Sequence, residues 1–321
     1  MNIIERAGKR LGLAPGKSLV EKAVERLDSS SEAKPAENAA SFPAEARMAT
    51  AQRAAGGTAL RAAVNAAPVS APAIGRRETR RQITIDFDRL REQGFALPVD
   101  QTALAEELRL IKRPLLSAAF AQGLTAVENA NLIMVTSANP KEGKTFIATN
   151  LALSMASEHD VHVLLIDADV ANPSIPKILG FEAETGLIDA VTDPAIDLSD
   201  VMIRTNIDNL ILLPAGRPRP GASELLASAR MSRFINDIAK RYADRIILFD
   251  SPPVLARSEA MVLAQHVGQV VFVIEAERTS RTAISEALGL IGNAKLGGVV
   301  LNKTPQIPLQ EGFGYYEYRN R

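Results

Sequence analysis

Gly143, Lys144 and Thr145 stand between an apolar run, Leu132 to Val135, and a segment that carries Ile147, Leu151 and Met155 at helical spacing. A strand that hands over to a helix at this triplet aims backbone N–H groups and the positive end of the helix dipole at one point, which is how proteins hold phosphate. Lys144 then reaches the β/γ-phosphates and the Thr145 hydroxyl meets Mg²⁺. Ala138, Asn139, Pro140, Lys141, Glu142, Gly143, Lys144 and Thr145 follow the pattern G-x-x-x-x-G-K-[ST], with Ala138 in place of the first glycine. With Phe146 they form the expected nucleotide contact.

Two more apolar runs end in carboxylates, VLLI before Asp167 and Asp169, and IILF before Asp250. Three carboxylates beside a phosphate loop are tolerable if a divalent cation and Lys144 offset them. A single aspartate there can equally cap the next turn. Phosphoryl transfer needs in-line positioning, charge neutralisation and a carboxylate that orients or deprotonates the nucleophile. The candidates are therefore Lys144, Asp167 and Asp169 for catalysis and Thr145, Asp167 and Asp250 for the metal, with ATP and Mg²⁺ as cofactors.

Six apolar runs must position these groups, beginning near residues 132, 163, 210, 246, 270 and 298, with helical patterns between most of them. Near-continuous apolar strands alternating with helices predict a sheet buried on both faces, an α/β doubly wound, mostly parallel fold of the P-loop NTPase kind. Ligands then sit beyond the carboxyl ends of the strands, where the three aspartates fall.

The chain of 321 residues is 46% hydrophobic, enough for one sizeable core with an appendage. It has no cysteine, which excludes thiolate metal sites and thiol catalysis, and its three histidines have no metal-ligand spacing. Zero formal net charge and 4% aromatic residues argue against nucleic acid as a partner. No apolar run approaches the length of about 20 residues that a spanning helix needs, and a cytoplasmic location is expected, peripheral at the inner face of the plasma membrane through a partner.

Residues 1–28 form a short amphipathic arm, split by Pro15-Gly16, that is either a docking helix or a weakly structured extension. Residues 29–82, rich in Ala, Ser, Pro and Gly, read as a disordered linker, giving the fold a disordered N-terminal extension. The P-loop domain spans 83–310 and opens with a helix carrying Glu106, Arg109 and Lys112, charges that ordinarily solvate a helix face. The tail, 311–321, holds Tyr315, Tyr316 and Tyr318, three of the four tyrosines, after flexible glycines. They are either phosphate acceptors or a docking peptide.

Together SANPKEGKT, LLIDAD, LLPAGRPRPGASELLAS, IILFDSPP, GVVLN and the tyrosine tail resemble the bacterial tyrosine autokinases of capsule and exopolysaccharide synthesis, the BY-kinases, and most of all their exosortase-associated branch. The resemblance covers roughly residues 103–321. It implies an ATP site at the loop and at Asn302, roles for Asp167 and Asp169 in Mg²⁺ organisation and in orienting the attacking tyrosine, and a third motif at Asp250. It implies a cyclic oligomer whose helix motif E-x-x-R-x-x-R is matched by Glu106, Arg109 and Lys112, with the tail phosphorylated in trans. A membrane-embedded polysaccharide co-polymerase as activator and a phosphotyrosine phosphatase are the implied partners. The family's arginine two residues after its second aspartate is here Ala171. A positioning or partitioning ATPase of the same fold, and a nucleotide-binding scaffold without turnover, are the competing readings.

Overall fold

The computed structural model describes residues 81–97, 100–123, 126–292 and 296–305. The N-terminal arm, nearly all of the expected linker, and Tyr315, Tyr316 and Tyr318 lie outside the described residues.

Two helices precede the sheet, α1 (Phe87–Glu92) and α2 (Ala103–Ala119). Then follow β1 (Leu132–Ser137), α3 (Lys144–Ala156), β2 (Val163–Asp167), α4 (Ile175–Leu179), α5 (Leu187–Thr192) and α6 (Leu198–Val201). The chain continues through β3 (Ile203–Arg204), β4 (Leu210–Leu213), α7 (Ala222–Leu226), α8 (Ala229–Arg241), β5 (Ile246–Asp250) and α9 (Ser258–His266). It closes with β6 (Gln269–Glu275), α10 (Arg281–Ile291) and β7 (Leu296–Asn302). Helix starts follow from local chemistry: the Thr102, Ser228 and Ser280 side chains accept from backbone N–H groups three residues on, at α2, α8 and α10.

All six apolar runs are strands of one sheet in the order β3-β4-β2-β5-β1-β6-β7, parallel except for the β3–β4 pair. β3, two residues long at the sheet edge, has no apolar run to announce it. Alternate strand residues enter different cores. Ile133, Val135, Leu165 and Leu248 pack with α2 and α3, whereas Leu132, Met134, Ile166 and Phe249 pack with α8 and α9. Period-two side-chain alternation with both faces covered is the physical content of a doubly wound sheet.

α2 departs from the expectation for its charged residues. Its buried positions are Ala105, Leu108, Lys112 and Leu115, a stripe at helical spacing, so Lys112 falls on the inward face. Lys112 Nζ donates to the Ser154 carbonyl at 2.6 Å and pairs with Glu158 at 2.7 Å, both on the α3 side of the same chain. It therefore ties α2 to α3 of the same chain. Glu106 and Arg109 stay on the surface and pair with each other within the helix. Glu158→Ala should cost about 1–3 kcal/mol, because it strands a buried ammonium on one carbonyl. Thermal unfolding checks this: the melting midpoint should drop in Glu158→Ala and largely recover in the Lys112→Met/Glu158→Ala double variant.

Candidate active site

β1 ends at Ser137 and α3 begins at Lys144, so residues 138–143 form a loop at the carboxyl edge of the sheet. Gly143 caps α3 from the left-handed region, φ 95°, and no side chain caps the helix, leaving its first N–H groups available to an anion. A Cβ at Gly143 would lie 2.0 Å from Asn302 Nδ2 and would sit on a positive φ, so any other residue here is strained and must displace the Asn302 side chain. Ala138 tolerates its side chain: it is fully buried in the core, and its φ is not positive, so the missing first glycine removes no required conformation.

The loop is braced by residues that motif matching does not reveal. The buried Glu142 carboxylate accepts from the Asn139 backbone N–H at 3.0 Å, from Asn139 Nδ2 at 3.1 Å and from the Thr279 hydroxyl at 2.6 Å. Asn302 Nδ2 donates to the Glu142 carbonyl at 2.9 Å, and Lys303 Nζ to the Lys141 carbonyl at 2.7 Å. Lys303 also pairs with Glu275, which receives Arg278. The ends of β6 and β7 thus hold the phosphate loop from one side. Glu142 and Asn302, expected as nucleotide contacts, are engaged in this brace. The Phe146 side chain packs on Phe95 with ring centroids 4.8 Å apart.

The carboxylates meet Lys144 and Thr145 from β2 and β5. Asp167 and Asp250 are register partners on these adjacent strands, and Asp169 lies two residues past the end of β2, its Oδ2 4.0 Å from Lys144 Nζ. Asp167 and Asp250 are fully buried, Lys144 and Asp169 nearly so. Asp167 Oδ2 accepts from the Ser174 and Ile175 backbone N–H groups at 3.1 and 3.2 Å, so it also caps α4, as a lone strand-end aspartate would. The Ser174 hydroxyl donates to Thr145 Oγ1 at 3.2 Å.

What remains is unbalanced. Asp167 Oδ1, Asp169 Oδ1 and both Asp250 oxygens are buried without a hydrogen-bond partner of acceptable geometry. Burial raises Asp167 well above the carboxylate range, and the Asp250 charge adds to it. Burial likewise pushes Asp250 up to about 7, against the neighbouring Thr145 hydroxyl and the Lys144 charge. Burial raises Asp169 also, with Lys144 and Arg257 pulling it down. Among the described residues no group of three or more His, Asp or Glu side chains suffices alone to hold a metal. A cation that takes one or two carboxylates and completes its shell with phosphate oxygens and water fits this donor set, and that is the habit of Mg²⁺.

A family model for ParA, described as the NUBPL iron-transfer P-loop NTPase, matches residues 128–302. The chain is 32% identical to the tyrosine-protein kinase CpsD of Streptococcus agalactiae over 196 residues, 59% of this chain and 83% of that protein. It is 31% identical to the tyrosine-protein kinase wzc of Salmonella typhimurium over 59% of its own length, but spans only 26% of that protein. Among solved structures, the chimerical protein CapA2B2 aligns with a TM-score of 0.57 and 28% identity, covering 71% of this chain and 94% of that one. The VpsO kinase domain aligns with a TM-score of 0.50 and 32% identity over 64% of this chain and all of that one. A phosphate loop closed by a left-handed glycine cap, three strand-end aspartates around its lysine and these likenesses lead to one conclusion: the chain belongs to the ParA family of P-loop NTPases and, within it, to the bacterial tyrosine autokinases.

Proposed function

We propose that the chain is an ATP- and Mg²⁺-dependent protein-tyrosine kinase that phosphorylates Tyr315, Tyr316 and Tyr318 in the tail of a neighbouring subunit, regulating exopolysaccharide polymerisation or export. The observation that carries this reading is the set of four unpartnered oxygens on Asp167, Asp169 and Asp250 around Lys144 and Thr145. When bound, ATP would supply the transferable phosphoryl group and Mg²⁺ the positive charge these carboxylates lack. Thr145, Asp167 and Asp250 would hold the cation, and the α3 N-terminus with Lys144 the phosphates. Asp169, beside Lys144 and on the less enclosed side of the cluster, takes the proton from the attacking tyrosine hydroxyl; its raised pKa makes it a stronger base than an ordinary carboxylate.

Subunit contact in a cyclic oligomer would use Glu106 and Arg109, with Lys112 supporting α2 from within. Each tail phosphate would add roughly −1.5 to −2 charges, a means of dispersing such a ring. No helix among the described residues is long and apolar enough to cross a membrane. A membrane-embedded co-polymerase as activator, a phosphotyrosine phosphatase, and a cytoplasmic, peripheral location at the inner membrane face complete the proposal.

Intact-mass spectrometry after incubation with Mg²⁺ and ATP tests it. The native chain should gain increments of about 80 Da, absent in Asp169→Ala and in the Tyr315→Phe/Tyr316→Phe/Tyr318→Phe tail. ATP hydrolysis without mass gain would instead favour the positioning ATPase.

A further inference from the structure

An open groove of about 500 Å³ adjoins Asp169, formed by Val170 and Ala171 after β2, by residues 218–224, which run from the loop after β4 into the first turn of α7, and by Arg257 at the start of α9. It lies at the same carboxyl edge of the sheet as the phosphate loop, and its volume is within the range of specific ligand sites. Ala171 adds no charge to its floor, so its character comes from three ionic side chains. Arg219 is already engaged by the buried Asp189. Arg257 is half-buried, close enough for its charge to act on Asp169, and its guanidinium makes no ion pair or hydrogen bond among the described residues. Glu224 in the first turn of α7 is the groove's carboxylate. The groove therefore offers one uncommitted cation beside the catalytic carboxylate and one anion.

The tail carries the inverse pattern, with Glu317 immediately before Tyr318 and Arg319 immediately after it. We infer that this groove selects the acceptor by the charges flanking it, Arg257 receiving the acidic residue before the tyrosine and Glu224 the basic residue after it, with Tyr318 of a second copy as the preferred acceptor. The inference rests on the tail-kinase reading above and deepens it. Arg257 is then a specificity-determining residue, and the occupant is the segment 316–320. Charge pairs at such a half-open surface are worth modest factors, enough to rank three closely spaced tyrosines without blocking product release.

The test uses the full chain with its three tail tyrosines changed to Phe, as enzyme, and synthetic peptides of residues 311–321 in which Tyr318 is the single tyrosine. A Glu317→Lys peptide should show a KM raised roughly fivefold or more on Arg257 enzyme, with kcat nearly unchanged. Arg257→Glu should reverse that preference. Equal KM for the two peptides on the Arg257 enzyme would overturn the inference, as would an Arg257→Glu enzyme that lowers kcat on both peptides alike, because Arg257 would then act through Asp169. Phosphorylation of every peptide without preference sinks the inference alone; no phosphotyrosine on any peptide removes the tail-kinase reading with it.

Discussion

Asp250→Asn should make the unliganded protein more stable at pH 8 while abolishing tail phosphorylation. The folded-state pKa of Asp250, about 7, lies above the ordinary carboxylate value of 3.8. Below about pH 4 the group is protonated folded or unfolded and costs nothing. As the pH rises toward 7 the unfolded chain releases the proton and the folded chain must keep it or bear a buried charge, so stability falls across that window. The full penalty, present above about pH 7, is of order 4 kcal/mol by linkage. Asp167 is raised for the same reason and adds in the same direction. The opposite contribution comes from surface carboxylates that folding lowers, such as Asp197 and Asp244, and it is lost only in more acidic solution. Asparagine removes the Asp250 penalty, so its melting midpoint should exceed the native one at pH 8 by several degrees and converge with it near pH 4. Mg²⁺ with ATP should stabilise the native chain and leave this variant little changed. A variant less stable than the native chain at pH 8 would contradict the assignment of an uncompensated charge at this position.

Lys144→Ala should reduce tail phosphorylation by about a thousandfold or more, the scale for removing a preorganised positive group from a phosphoryl-transfer site. Lys144 is the cation that opposes the raised pKa values of both Asp169 and Asp250, so its loss pushes both carboxyls further up and disables the base as well as the phosphate clamp. Circular dichroism should stay native, because neutralised aspartates relieve the repulsion that the missing ammonium no longer offsets. Phosphotyrosine persisting in this variant, made in the absence of other kinases, would place the chemistry elsewhere.

The sheet was legible because burial on both faces writes strands as unbroken apolar runs, and six of its seven strands are such runs. β3 was not, since two residues paired antiparallel at an edge have no pattern of their own. The loop and the three aspartates were legible as motifs at strand ends. Two kinds of information were not. The tie of Lys112 to α3 was not drawn from its charge motif, although its place on the stripe of Ala105, Leu108 and Leu115 already put it inward. The Glu142–Thr279 contact and the nearness of Arg257 to Asp169 join residues more than eighty positions apart, through the packing of separate crossovers, and no local spacing encodes that.

The hold of Lys303 on the Lys141 carbonyl bears on which tail reaches which site. It pins the root of the tail to the rim of its own phosphate loop, and Tyr315 follows only twelve residues later. Twelve residues span at most about 40 Å, so on the tail-kinase proposal a neighbouring subunit must bring its Asp169 within that reach of this loop to meet Tyr315.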